Sequence, residues 1–333
     1  MYAQTVRYDQ FGEPHKVLKV EQRLIEPLKQ DEILVKMSAR PINPSDIIPI
    51  RGAYKHRINL PAIPGYEGVG TVIDTGPSAP RSLIGKRVLP LRGEGTWQDY
   101  VKTTAELAIE VPDSIPDDIA SRLYIASRLY INPITAWVIC KETLQLSSQQ
   151  VLLVNAANSA IGRLFIQLSA LFGFRVIAIV RNARYTEELM ELGAWHVIDS
   201  SHVSIYDAIM SVTNGQGAHA SIDSIGGPDG LELAKSTRAG GIFLSLGLLS
   251  GVQVDWSIIS KELGVLPQLF LLRHWNQRVS LSTWHETFEK VIELVQNGKV
   301  LIAAPGEKFA LQDVKEAVQF AESRHRTGKI ILV

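Results

Sequence analysis

The chain of 333 residues balances 34 Lys and Arg against 34 Asp and Glu, and is 46% hydrophobic and 20% charged. That balance supplies no global field to draw nucleic acid or an anionic membrane, and no apolar run approaches the ~20 residues of a membrane span. The length suits two domains with a core each, while a single cysteine, Cys140, excludes an intrachain disulfide and a cysteine-rich zinc site.

No basic stretch leads an apolar block at the N-terminus, so a cytoplasmic protein is the expectation. Residues 1–120 read as β-rich, with short strands at Glu32–Ala39, Gly68–Thr75, Lys86–Pro90 and Trp97–Thr103 punctuated by Gly and Pro. Next, Ile119-Ala-Ser-Arg-Leu-Tyr124 is repeated at once as Ile125–Tyr130. Six residues are not a whole number of helical turns, so the copies cannot both present one face. Either one copy is looped out or the helix is longer and repacked. Cys140 follows in an apolar helical pattern and reads as a small core residue. None of the eight histidines forms a ligand-spaced pair.

The stretch Val151–Arg181 carries the strongest local signal. An aliphatic run, a small-residue turn, an apolar helix and a second aliphatic run, Arg175–Val180, make one parallel βαβ unit. Its fingerprint is Ala157, Ser159 and Gly162 in place of three glycines. Small residues there let a pyrophosphate approach the helix N-terminus, so Asn158, Ser159, Ala160 and Ile161 are expected to cradle it. Arg181 stands where a carboxylate would grip a ribose 2′-hydroxyl, and a cation there favours the 2′-phosphate of NADP(H). The plain alternative is a βαβ crossover without a ligand. Further apolar runs at Ala194–Ile198, Ala220–Ile225 and Gly241–Leu246 suit a doubly wound parallel sheet. An amphipathic helix is predicted over Thr283–Asn297 with Gly298 at its C-cap, another around Leu311–Arg324, and a last strand over Lys329–Val333. That strand needs a host sheet, and the β-rich N-terminal part supplies one. The expected organisation is a Rossmann domain over 128–272 inserted into a discontinuous domain of 1–127 and 273–333, with the ligand cleft between them.

The segments Asn43-Pro-Ser-Asp46, Gly65-Tyr-Glu-Gly-Val-Gly70, Gly95-Thr-Trp97, Asn132-Pro-Ile-Thr-Ala136, Asn155–Gly162 and Thr327-Gly-Lys-Ile-Ile-Leu-Val333 resemble the zinc-free medium-chain dehydrogenase/reductases. Within them the chain is most similar to NADPH-dependent trans-2-enoyl thioester (enoyl-CoA or acyl-carrier-protein) reductases, near the NADPH:quinone reductases. The resemblance implies a GroES-like fold for the β-rich domain, a homodimer built by sheet extension, and small-molecule substrates. It implies no metal: the stretches that carry Cys, His and Cys in zinc relatives hold Asn43, Tyr66 and, more loosely, Asn132. Glu67 matches an acidic position of those relatives and, without metal, is expected to pair with a nearby cation.

The family's proton donor matches Tyr54, a phenol that stays protonated at neutral pH; a loop aromatic with its hydroxyl in water is the other reading. Asn43 is expected near the nicotinamide ribose or the substrate, or as a turn device before proline. Thr135 is expected near the nicotinamide, with a helix-start hydroxyl as the alternative. Leu246, Gly247, Phe270 and Leu272 are expected along the cofactor, and Arg181 with Arg184 at the 2′-phosphate, where exposed surface arginines are the alternative. Trp97 and Trp275 are candidates for the substrate wall; Trp97 also reads as core and Trp275 as a dimer contact. Reduction of an activated C=C bond comes first, quinone or enone reduction second, and a non-catalytic NADPH-binding role last.

Overall fold

A computed structural model describes residues 1–92, 95–114, 119–323 and 325–333, with the side chains of 119–122 outside the description. Its strands in chain order are β1 (Tyr2–Arg7), β2 (Lys19–Leu24), β3 (Glu32–Pro41), β4 (Val69–Thr75), β5 (Arg87–Pro90), β6 (Tyr100–Thr104), β7 (Ala108–Glu110), β8 (Val151–Val154), β9 (Arg175–Val180), β10 (His196–Asp199), β11 (Ala218–Asp223), β12 (Thr237–Ser245), β13 (Leu266–Leu269), β14 (Pro305–Phe309) and β15 (Lys329–Leu332). The chain forms two compact units, 1–131 with 288–298 and 302–333, and 132–287 with 299–301. These divisions fall at the start of one helix and inside another, where the sequence pattern had placed them at 127/128 and 272/273.

The first unit is built on β3, whose alternating Ile33, Val35 and Met37 pack with Val72, Val88 and Val101. β3 pairs antiparallel with β4, β6 and β15, and β15 runs parallel to β14. The terminal strand therefore finds its host in the N-terminal sheet. The expected strand at Trp97 begins later, at Tyr100, because the Trp97 backbone bonds elsewhere: its N–H donates to Pro64 O at 3.0 Å and its carbonyl accepts from Val6 N at 2.9 Å. Trp97 is fully buried in a core with Val6, Tyr8, Leu18, Ile42 and Ile330. Gly65 lies under the indole, where an added Cβ would stand 2.4 Å from Trp97 Cδ1.

The hexapeptide copies adopt different backbones. A helix spans Ile119–Ala126 and so ends two residues into the second copy. Ser127 and Arg128 then turn, with Arg128 N bonded to Ile125 O at 3.0 Å. The long amphipathic helix runs over Leu281–Gln296, starting before Thr283 because Ser280 Oγ accepts from Thr283 N at 3.1 Å. Near the C-terminus a single 3₁₀ turn, Leu311–Asp313, precedes the helix Val314–Glu322; Arg324 lies outside the described residues.

The second unit holds a six-stranded, all-parallel sheet in the order β10-β9-β8-β11-β12-β13. β8 and β9 are aliphatic on both faces because helices cover both faces of such a sheet. The winding reverses between β8 and β11, and ligands of open α/β sheets bind outside the strand carboxyl ends at such a point. Beyond β8, Ala156 takes a left-handed φ of 47° and Ser159 caps the helix Ala160–Phe172, accepting from Gly162 N at 3.2 Å. Gly162 lets that helix approach the turn: an added Cβ would stand 2.5 Å from Ala157 O. Gly162→Ala should therefore destabilise the protein by about 1–3 kcal/mol through overpacking against backbone. Denaturant unfolding checks this, and an unchanged midpoint would show that the turn gives way freely.

Candidate functional site

In the first unit the chain leaves β3 at Pro41 and enters the helix Pro44–Ile50 through Asn43, a sequence-legible start with proline at the first helical position. Asp46, in the first turn, reaches back to accept from Asn43 N at 2.7 Å through Oδ2 and from Tyr66 N at 2.9 Å through Oδ1. The Asn43 side chain is engaged at both ends: Nδ2 donates to Glu67 Oε1 at 2.8 Å, and Oδ1 accepts from Lys329 Nζ at 2.7 Å. Glu67 Oε2 accepts from Ile131 N at 2.8 Å, and Thr96 Oγ1 donates to the Glu67 carbonyl. Arg128 Nε donates to Tyr124 O at 2.8 Å. Asn43, Asp46, Glu67 and Arg128 are all buried.

Burial sets the protonation of this cluster. It raises Asp46 to about 7, with the N–H groups of Asn43 and Tyr66 pulling the other way. It also raises Glu67 above the ordinary carboxylate range, against the hydrogen bonds from Ile131 and Asn43. It lowers Lys329 to about 8 and Arg128 to about 10, each opposed by the Glu67 carboxylate. Two carboxylates and two cations make a formally neutral set. Glu67 was expected to pair with a nearby cation; the charges of Lys329 and Arg128 both act on it, and its hydrogen-bonded link to Lys329 runs through the Asn43 amide. Asp46, Arg128 and Lys329 were not singled out, although Asp46 and Lys329 sit inside the motifs Asn43–Asp46 and Thr327–Val333.

The same helix delivers Tyr54. Its C-cap residue, Arg51, is anchored by Glu13 at 3.1 Å and Glu322 at 2.9 Å. Tyr54 is half-buried, and the Arg57 guanidinium lies 3.9 Å from its ring centroid, over the face. Lys55 and His56 are exposed between them.

In the second unit, Asn155 and Asp223 lock the carboxyl ends of β8 and β11. Asn155 Nδ2 donates to Asp223 Oδ1 at 2.6 Å and its Oδ1 accepts from Ser224 N at 2.8 Å, while Asp223 also accepts from Ile225 N and Gly226 N. Neither residue was foreseen as a pair. Ala160 and Ile161 open the helix, so their N–H groups belong to its unpaired first turn. The Asn158 carbonyl accepts from Arg163 Nε at 3.0 Å, and the Arg163 guanidinium pairs with Glu188. Arg181 and Arg184 are exposed just beyond β9; Arg184 lies over the Tyr185 ring and donates to its hydroxyl. Leu246 N and Gly247 N bond to Asp223 O, and Phe270 N bonds to Ser245 O, which places these residues at the same sheet end. Leu272 opens the helix Leu272–Arg278. Thr135 is buried and fifth in the helix Ile131–Val138, so a helix-start role is overturned. Of the two candidate wall residues, Trp97 lies in the core of the first unit, and Trp275 is buried with its indole N–H donated to Glu142 Oε2 at 2.9 Å.

Two family models match the chain, the alcohol dehydrogenase GroES-like domain over residues 29–113 and the zinc-binding dehydrogenase over residues 160–297. A solved structure from Bacillus thuringiensis, provisionally described as an NADPH:quinone reductase, is 53% identical with a TM-score of 0.96 and covers 100% of this chain and 99% of its own. The mitochondrial enoyl-[acyl-carrier-protein] reductase of Homo sapiens is 29% identical over 333 residues, 98% of this chain and 87% of the relative. Escherichia coli quinone oxidoreductase, solved with NADPH, shares the fold at 21% identity and a TM-score of 0.86 over 99% of both chains. A unit with a parallel six-stranded nucleotide-type sheet and a separate β-rich unit in one chain are the parts of a medium-chain dehydrogenase. The chain belongs to the medium-chain dehydrogenase/reductase superfamily, beside its enoyl thioester and quinone reductases.

The name of one matching model implies zinc, and the residues here do not fit it. Asn43 is committed at both amide atoms, Glu67 at both oxygens, and the sole cysteine is buried in the segment Ile139–Leu144 of the other unit. No trio of His, Cys, Asp or Glu able to hold a metal is found among the described residues.

Lys329 gives a pH-dependent stability with a definite sign. Its value in the folded chain, about 8, lies below the 10.5 of an unperturbed lysine, so between these two pH values the unfolded chain binds more protons. Its contribution to stability therefore rises as pH climbs through that window. The unfolding free energy of the wild type minus that of Lys329→Met should increase from pH 8 to pH 10, measured by denaturant unfolding. A difference that falls over that range would contradict the assignment.

Proposed function

We propose that the protein reduces an activated C=C bond with NADPH, acting on a trans-2-enoyl thioester. The reduced nicotinamide, when bound, supplies the hydride that the substrate accepts at Cβ. The chain's own task is to bind, orient and protonate. Ser159, Ala160 and Ile161 offer the helix N-terminus to the pyrophosphate, beside Asn158, and Arg181 with Arg184 offers cations to the 2′-phosphate. Thr135, the backbone at Leu246–Gly247, and Phe270 with Leu272 are assigned to the nicotinamide half.

Tyr54 is the observation that carries the reading. Hydride addition to Cβ leaves an enolate whose Cα needs a proton, and a phenol meets that need at neutral pH. The half-buried ring is covered on one face by Arg57, and the chain leading to it is anchored three residues earlier, where Arg51 pairs with Glu13 and Glu322. Asn43 is assigned to holding this loop's helix in place, because its amide is committed inside the protein. The thioester carbonyl serves as electron sink, so no Lewis acid is required.

Quinone reduction is the second reading, favoured by the provisional description of the Bacillus thuringiensis relative. A quinone needs the hydride but no positioned carbon acid. Rates of NADPH oxidation with crotonyl-CoA and with a small quinone, on the wild type and Tyr54→Phe, separate the two. Loss of about 10²-fold or more on crotonyl-CoA with the quinone rate retained is expected. Faster quinone turnover and indifference to the tyrosine would reverse the order.

A homodimer is proposed with this function. β13 is the edge strand of its sheet, and Leu266 and Leu269 on it are more than half exposed. An apolar, unpaired edge is suited to isologous pairing with a second copy. Sedimentation of the wild type should give a dimer, and Leu266→Glu with Leu269→Lys a monomer; a monomeric wild type ends the proposal. The lone thiol suits a reducing compartment, and we place the protein in the cytoplasm.

A further inference from the structure

Glu67 is a buried charge for which the proposed chemistry has no use. It takes no part in proton delivery by Tyr54, yet both of its oxygens are occupied by N–H donors, from Asn43 at 2.8 Å and from Ile131 at 2.8 Å. Ile131 is the first residue of the helix Ile131–Val138, whose fifth residue is Thr135. We infer that Glu67 is a positioning residue: its carboxylate fixes the start of the helix that carries Thr135, and is itself fixed by Lys329 through the Asn43 amide.

The direction of every bond in this chain is forced. An ammonium only donates, so the Asn43 oxygen must face Lys329 and the Asn43 NH₂ must face Glu67. An N–H on the other side faces Glu67 Oε2. A proton on either Glu67 oxygen would meet a donor, so only the carboxylate completes both bonds. A carboxylate at a helix N-terminus also meets an unpaired N–H and the positive end of the helix dipole. Thr135 lies four residues, about one turn, further along the same helix. The charged groups that act on Glu67 are Lys329 from β15, Arg128 from the turn inside the second hexapeptide copy, and Asp46 from the helix Pro44–Ile50, with Arg326 acting on Lys329.

The inference rests on reading Thr135 as a nicotinamide contact, and the test keeps the two apart. Glu67→Gln replaces one acceptor by a donor, so either Asn43 or Ile131 then faces N–H with N–H. The dissociation constant for NADPH, by fluorescence titration of the full chain, should rise about 10-fold or more. Lys329→Met frees the Asn43 amide to rotate, so in the double variant Glu67→Gln/Lys329→Met the Asn43 oxygen can face the new amide NH₂ while the new amide oxygen accepts from Ile131 N–H, which removes the clash of donor against donor. It should recover NADPH binding to within about 3-fold of the wild type, a rescue that general structural damage does not give. Glu67→Asp, which keeps the charge but is one methylene too short to span both donors, serves as the readout if Glu67→Gln does not fold. Wild-type NADPH binding by the Glu67 variants, or a double variant no better than Glu67→Gln, overturns the inference. If Thr135→Ala also binds NADPH as the wild type does, it is the reading of Thr135 that has failed and the inference falls with it; loss in Thr135→Ala alone refutes only the positioning role.

Discussion

Two carboxylates cannot be taken out of water in one small volume unless cations and N–H donors replace what water supplied. That constraint organises the first unit. Asp46 and Glu67 are buried within one motif-rich region, and the chain answers with Lys329 from its far end, Arg128 from the turn inside the second hexapeptide copy, and four N–H donors from Asn43, Tyr66 and Ile131. The cluster thereby ties β3, the loop at Gly65–Glu67, the last strand and the start of the helix at Ile131. Removing one member leaves an unbalanced charge in low dielectric, so the segments it joins are fixed relative to one another within the unit.

The second unit solves an analogous problem with neutral chemistry and one carboxylate. Where the sheet winding reverses, Asn155 and Asp223 close the ends of β8 and β11 by side-chain bonds to backbone N–H groups of the next turn. Such closure frees the turn Ala156–Ser159 to remain small and tight. The left-handed backbone of this turn falls on Ala156, outside the fingerprint positions, so Ala157 and Ser159 need no positive φ, while the close helix approach is met by Gly162.

Much of this was legible in the sequence, in proportion to how local each signal was. The strands β3, β4, β8 and β9 follow from alternating or continuous aliphatic runs, and the turn after β8 from its small residues. The host of the last strand followed from the need to pair a terminal apolar run. The buried charge cluster was not legible, because Lys329 and Asn43 are separated by 286 positions and nothing near either residue says that they meet. Trp97 was ambiguous for a different reason: an indole before a strand reads equally as core or pocket wall, and only its seat over Gly65 decides. The hexapeptide repeat posed a question of phase, and the chain resolves it by ending the helix at Ala126, so identical sequences adopt unlike backbones.

That resolution has a physical consequence for the cluster. Six residues advance a helix by about one and two-thirds turns, so a continued helix would carry the second arginine to a different face from the first. Leaving the helix after Ala126 instead lets Ser127 and Arg128 fold back on Tyr124, whose carbonyl accepts from both side chains at 2.9 and 2.8 Å. Arg128 is thereby buried where its charge acts on Glu67. The backbone that breaks the helix and the charge that balances the carboxylate are thus the same event, and the next helix begins three residues later at the very N–H group that Glu67 accepts. A duplicated segment is accommodated here because its second copy is not asked to repeat the first.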